Sequence, residues 1–189
     1  MISRFIALLL FILTLPFYPF LFIAIKLASP GPFIFSQKRV GMGKKVFVMY
    51  KFRSMVENAN KLKVKYKHLN ELDGPFFKIS KDPRLTWIGK IMVPLGIDEL
   101  PQLINVLKGE MALVGPRPFP VDETIKIPEK YAIRYSVLPG ITGLWVIRGS
   151  HKLTFEKWME LDIEYTKKKN FWYDIKIIFQ TVVTLIRAL

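Results

Sequence analysis

Over residues 5–25 the chain runs 21 positions without a charge, and a straight helix of that length, rising about 1.5 Å per residue, reaches across the roughly 30 Å apolar core of a bilayer. Pro16 and Pro19 stand in the middle of the run. Each removes a backbone donor and crowds the preceding turn, so a bend is predicted at Pro16. The flanks, Arg4 and Lys26, are both basic and give the positive-inside rule no direction to choose. A helix that enters, bends at Pro16 and leaves by the same face accommodates both features, with Thr14 or Tyr18 placed to partner the backbone groups freed at the bend. A single-pass anchor and a cleaved signal peptide are the alternatives, although Lys26 falls where a signal peptide needs a small-residue cleavage site.

After Lys26 the pattern becomes that of a basic globular domain. Ser29-Pro30-Gly31-Pro32 is a stiff turn. Phe33, Ile34 and Phe35, then Gly41-Met42-Gly43, then Val46, Phe47, Val48 and Tyr50 predict a β-hairpin. Ser54-x-x-Glu57 reads as a capping box, and Met55, Ala59, Leu62, Tyr66 and Leu69 recur at helical spacing, so a helix is predicted from Ser54. Its opposite face carries Lys61, Lys63, Lys65 and Lys67, solvated or laid against anionic headgroups. Residues 155–168 and 171–189 read as two further helices. The last is apolar around most of its circumference, which suits either a core position or a lipid interface. With no internal repeat or low-complexity linker, the expected organisation is a membrane segment over 1–26 and one domain over 27–189.

The chemistry is expected in IDELPQLINVLKGEMALVGPRP, residues 97–118. Leu100, Leu103, Ile104 and Leu107 fall at i, i+3, i+4 and i+7, and Gly109 ends the predicted helix. Pro101 is tolerable only in a first turn, which makes Asp98 the N-cap candidate, with Glu99 just inside. Capping is one role for such an Asp. The other uses the same geometry: a carboxylate held against a phosphate at a helix start can attack phosphorus. Repulsion between the two anions must then be screened by Arg, Lys or a divalent cation. Mg²⁺ with one or two carboxylates suits Asp98 and Glu99, with Glu110 also near in sequence. Pro116 and Pro118 fix the backbone on both sides of Arg117, a candidate phosphate clamp.

Charge and composition narrow the classes. Against 15 Asp+Glu stand 29 Lys+Arg, a net charge of +14, yet 51% of residues are hydrophobic and mean hydropathy is +0.25. This pairing excludes a disordered polyelectrolyte and a typical soluble basic domain. With no cysteine and only two histidines, a disulfide framework, a thiol nucleophile and a thiolate or His-based zinc centre are excluded or disfavoured.

Several long motifs in fixed order make the chain resemble the bacterial sugar transferases, small monotopic phosphoglycosyl transferases that act on polyprenyl phosphate. They are SPGPFIFSQKRVG at 29–41, YKFRSM at 50–55, LDGPFFKISKDPRLTWIGK at 72–90, the DELPQLINVLKGEMALVGPRP block, LPGITGLW at 138–145 and FEKWMELDIEYTKK at 155–168. The resemblance implies an α+β fold: a re-entrant membrane helix bent at Pro16, and a compact, mainly helical cytosolic domain with a short β-hairpin and interfacial amphipathic helices. It also implies a two-step, ping-pong reaction at the cytoplasmic face of the bacterial inner membrane. Asp98 would attack the β-phosphate of a UDP-sugar, UMP would leave, and the phosphosugar would pass to polyprenyl phosphate, with Mg²⁺ at Asp98 and Glu99. Arg117 and Lys51 would hold phosphate, and Asp162 would support the site from behind. Downstream glycosyltransferases would then extend the product.

Three departures accompany the resemblance. The family commonly has Ser before the membrane proline, where this chain has Leu15. It commonly has basic residues five and four positions before the nucleophile, where this chain has Val93 and Pro94; either a phosphate contact is missing or Lys90 or Arg84 supplies it from another direction. After LPGITGLW an expected Arg is Ser150, for which Arg148 is the candidate substitute. The competing class is a non-catalytic, membrane-anchored basic protein that binds lipid headgroups or nucleic acid. Nucleic acid is disfavoured as a partner, because the aromatic residues lie in apolar runs rather than alternating with basic ones.

Overall fold

The computed structural model describes residues 2–71, 74–77, 79–149 and 153–187. The apolar run forms α1 (Ile2–Thr14) and α2 (Tyr18–Ala28), joined by a 3₁₀ turn at Leu15–Phe17 that contains Pro16. By length and composition the whole segment Ile2–Ala28 could cross a membrane. The α-helix gives way to this 3₁₀ turn at the first of the two prolines. Thr14 Oγ1 donates to the carbonyls of Leu10 (2.8 Å) and Phe11 (3.2 Å), partnering acceptors in the turn before the break.

Both legs of this bent helix pack on the domain. Ala7 is fully buried in a core cluster with Leu103, Val106 and Leu113, and Ile25 is buried with Phe52 and Met92. Tyr18 sets its ring edge-on to Phe52, 5.0 Å between centroids. Two arginines fasten the ends. Arg53 donates to the carbonyls of Pro30 (2.7 Å) and Ser29, capping the C-terminal end of α2. The Arg4 guanidinium lies where a Cβ on Gly109 would be. The outward residues, Leu13, Phe20 and Leu27 among them, remain exposed.

The hairpin follows as β1 (Ile34–Val40) and β2 (Val46–Phe52), antiparallel, with Ile34 opposite Phe52 and Val40 opposite Val46. The helix predicted from Ser54 does not form there. Residues 54–56 instead pair with 84–86: Met55 bridges Leu85, Val56 N–H donates to the Arg84 carbonyl, and Thr86 N–H donates to that of Ser54. This long-range pairing overrides the local capping signal, and the helix α3 covers only Ala59–Lys65. Lys63 on it pairs with Glu123 at 3.2 Å.

After α4 (Gly89–Met92), α5 runs Gln102–Lys108 and stops at Gly109, which takes φ +81°. Asn105, fully buried, donates from Nδ2 to the Val48 carbonyl (2.7 Å) and accepts from Tyr50 N–H (3.1 Å), fixing α5 to β2. A second, parallel pair joins β3 (Ala112–Val114) to β4 (Gly140–Thr142). Its chains approach so closely that a Cβ at Gly140 would lie 2.0 Å from Gly115 N. The short helices α6 (Val121–Thr124) and α7 (Leu144–Ile147) precede α8 (Phe155–Lys168) and α9 (Phe171–Ile186), whose N-caps are Thr154 and Asn170. On α9, Ile177 is buried in the same cluster as Ala7, while Trp172, Ile175, Phe179, Val182 and Ile186 form an exposed stripe. The helix serves both the core and the outside.

Candidate active site

Lys51 rides near the end of β2, and Gly96, at φ +67°, turns the chain after α4 into a 3₁₀ turn, Ile97–Glu99. There Lys51 Nζ meets both acids: 2.6 Å to Glu99 Oε1 and 3.2 Å to Asp98 Oδ2. Asp98 is only 4% exposed. It is not the N-cap of α5, a correction to the sequence reading. Its turn closes on its own backbone bonds, Pro101 occupies the cap position, and the carboxylate goes to the ammonium rather than to helix N–H groups. Burial pushes the Asp98 carboxyl above its ordinary range, with Lys51 pulling the other way. For Glu99 the burial effect is outweighed by Lys51, Arg117 and Arg39, which hold it below.

Arg117 stands over the Trp145 ring, 4.6 Å from its centre, a cation–π seat that directs a planar guanidinium. Its backbone is held from behind. Arg134 donates to the Arg117 carbonyl (2.6 Å) and to Asp162 Oδ2 from both Nε (2.9 Å) and a terminal nitrogen (2.7 Å). Burial pushes Asp162 up to about 6 against the pull of Arg134. Through Arg134, Asp162 is tied to the backbone of the arginine triplet. Arg39 reaches the next residue, donating to the Pro118 carbonyl at 3.1 Å. Burial and the nearby Arg117 bring the Arg39 guanidinium down to about 10, with Glu123 and Glu99 pulling it back up. Arg39, Lys51, Glu99, Arg117, Gly140 and Trp145 line one pocket. Three cations and one carboxylate, Glu99, leave the small pocket net positive, and Lys51 links it to Asp98.

The remaining sequence candidates stand elsewhere. The Arg84 guanidinium is spent on Asp82 and the Ala59 carbonyl, so it is not free to replace the contact missing at Val93 and Pro94. Its buried partner claims a residue that looked available in sequence. Lys90 is exposed on α4 and makes no ion pair with Asp98 or Glu99. Arg148 faces a cleft between α7, α8 and α9 and does not line the Arg117 pocket. Ser150 lies outside the described residues. Arg39, Arg134 and Trp145 were missed, because no spacing distinguishes a buried arginine from a solvated one. The only signal for Asn105 was a polar residue among Leu103, Ile104 and Leu107.

Among the described residues no three acidic or histidine side chains gather to hold a metal. Asp98 and Glu99 stand side by side on the Lys51 ammonium, and Mg²⁺ takes only one or two protein carboxylates, its other positions filled by water and phosphate oxygens. Glu110 is committed to Asn105 at 2.7 Å.

A model of the family described as bacterial sugar transferase matches residues 1–188. The chain belongs to the bacterial sugar transferase family. Among its relatives is "Galactosyl transferase CpsE" of Streptococcus agalactiae serotype III (strain NEM316), 48% identical over 153 residues, which are 80% of this chain and 34% of the relative. The "UDP-glucose:undecaprenyl-phosphate glucose-1-phosphate transferase" of Escherichia coli (strain K12) is 42% identical over 168 residues, 85% of this chain and 34% of that one. The "Uncharacterized sugar transferase EpsL" of Bacillus subtilis (strain 168) is 40% identical over 158 residues, 84% of this chain and 72% of the relative. The chain spans about a third of the length of the first two. As a bacterial sugar transferase it carries its acidic pair, Lys51 and Arg117 together in one place.

Proposed function

We propose that the chain transfers a sugar phosphate from a UDP-sugar to polyprenyl phosphate, of which undecaprenyl phosphate is the form named for several relatives, and releases UMP. One observation carries this reading: a buried aspartate, held by a lysine, adjoins a cationic pocket in which an arginine is fixed from both sides. An Asp98 carboxylate oxygen attacks the β-phosphorus, and the bond from that phosphorus to the oxygen bridging the two phosphates breaks. UMP leaves with the bonding pair, and an acyl phosphosugar remains on Asp98. A polyprenyl phosphate oxygen then attacks the same phosphorus and frees the carboxylate. Lys51 orients Asp98 and Glu99, while Arg117 and Arg39 take up phosphate charge. Asp98 and Glu99 would hold Mg²⁺, which when bound neutralises diphosphate oxygens.

The bent helix anchors this site at the membrane. Its two legs pack on one domain, in keeping with a re-entrant course that returns to the cytoplasmic face, where UDP-sugars are made. The lipid-linked sugar phosphate would pass to downstream glycosyltransferases. The test is intact mass of the protein after incubation with UDP-sugars and Mg²⁺ but no acceptor. A gain of one sugar phosphate, mapped to Asp98 and discharged by polyprenyl phosphate, is expected. UMP release without any adduct would overturn the two-step course, and salt-sensitive lipid binding with no UMP release would overturn the enzyme reading.

A further inference from the structure

The apolar stripe of α9 has a basic neighbour. Residues Tyr173, Lys176, Gln180, Val183 and Arg187 recur at i, i+3, i+7, i+10 and i+14, one position on from the exposed Trp172, Ile175, Phe179, Val182 and Ile186. One residue is about 100° of helix, so the two stripes lie side by side, with the buried Ile177 on the third side. The basic stripe forms one wall of a cleft of about 590 Å³, with α7 and α8 as the others. Four cations line it, Arg148, Lys168, Lys176 and Arg187, against a single carboxylate, Glu164. Glu164 is already taken by Lys168 at 2.9 Å, and among the described residues Arg148, Lys176 and Arg187 have no acidic partner within ion-pair distance. Leu144, Ile147 and Phe179 add apolar surface.

We infer that this cleft binds the headgroup of an anionic glycerophospholipid, with its acyl chains along the neighbouring apolar stripe. A soluble anion would use the cations but leave the apolar stripe in water, whereas a lipid satisfies both at once. The site is separate from the catalytic pocket and faces the other side of α7: Trp145 belongs to one, Leu144, Ile147 and Arg148 to the other. A lipid seated here would hold α9 at headgroup level, where Trp172 and Phe171 at its start are also favoured.

The experiment uses the full chain in neutral detergent micelles, titrated with phosphatidylglycerol or phosphatidylcholine. Bound lipid is read by native mass spectrometry and the unfolding midpoint by thermal scan. Phosphatidylglycerol is expected to bind and raise the midpoint, and phosphatidylcholine to do neither. Lys176→Gln with Arg187→Gln, both exposed, should weaken phosphatidylglycerol about fivefold per charge removed and leave UMP release unchanged. Lys61→Gln with Lys65→Gln on α3 should leave the lipid affinity as it was. Equal loss in both double variants would mean diffuse surface attraction and overturn the site. Full affinity in the α9 variant would also overturn it, and so would inorganic phosphate protecting as well as phosphatidylglycerol.

Discussion

Two of the acid–base clusters that the protein buries differ in how completely they are closed. Arg134 and Asp162 are each 2% exposed at the side chain, joined by two short bonds, with Nη2 of the arginine also donating to the Arg117 carbonyl. Lys51, Asp98 and Glu99 are less sealed, with Lys51 and Glu99 at 18% and 19%. The first is built on a planar guanidinium that sets two donors on one oxygen, Asp162 Oδ2; the second on a point-charge ammonium that can shift between oxygens. The more deeply buried pair serves as a strut. The more open one adjoins the cationic pocket to which the proposed function assigns the chemistry.

Substitutions can break this contrast. Asp98→Asn is expected to lower UMP release at least about a thousandfold, the scale for losing a nucleophile, with the unfolding midpoint near that of the parent; substantial turnover would remove Asp98 from that role. Asp162→Asn is expected to act on stability instead, by about 3–5 kcal/mol in denaturant unfolding, because it strands a buried guanidinium. Adding Arg134→Met to Asp162→Leu should recover much of that loss, while activity stays low if the pair positions Arg117. Arg117→Ala should cost about a hundredfold in kcat/KM, the scale for one preorganised charge donor, with little change in stability. The smallest effect is in pH. Attack requires ionised Asp98, and burial raises its pKa, so kcat/KM should fall with acidification from a higher pH than an ordinary carboxylate would give. An acid limb in the ordinary Asp range would contradict the buried setting.

The sequence foretold elements whose signals are local. The bounds of α8, the hairpin, the stop at Gly109 and the break at Pro16 all came from residues in contact with their own neighbours. It misread places where a distant strand competes. Ser54 offered a capping box, yet its carbonyl is claimed by Thr86. Asp98 was placed at a helix start and proves to be in a separate turn, drawn to a lysine 47 residues earlier. Arg84 and Arg148 looked like spare cations because charge in a sequence carries no address. Asp82 occupies the first, and the fold of α7 onto α8 and α9 carries the second away. Asp98, Glu99, Arg117 and Lys51, singled out within the motifs, come together in the fold, whereas Arg39, although inside SPGPFIFSQKRVG, and Arg134, outside the motifs, gave no sign of where they lie.

Arg53, which fastens the end of the bent helix, lies two residues beyond Lys51, roughly 7 Å along an extended chain. The strand that brings Lys51 to Asp98 is therefore also the strand bolted to the N-terminal helix. On the proposed function, the depth of that anchor would set how high above the lipid surface the carboxylate works, and a bilayer of different thickness would retune the reach of a lipid-borne acceptor without altering a single contact in the pocket.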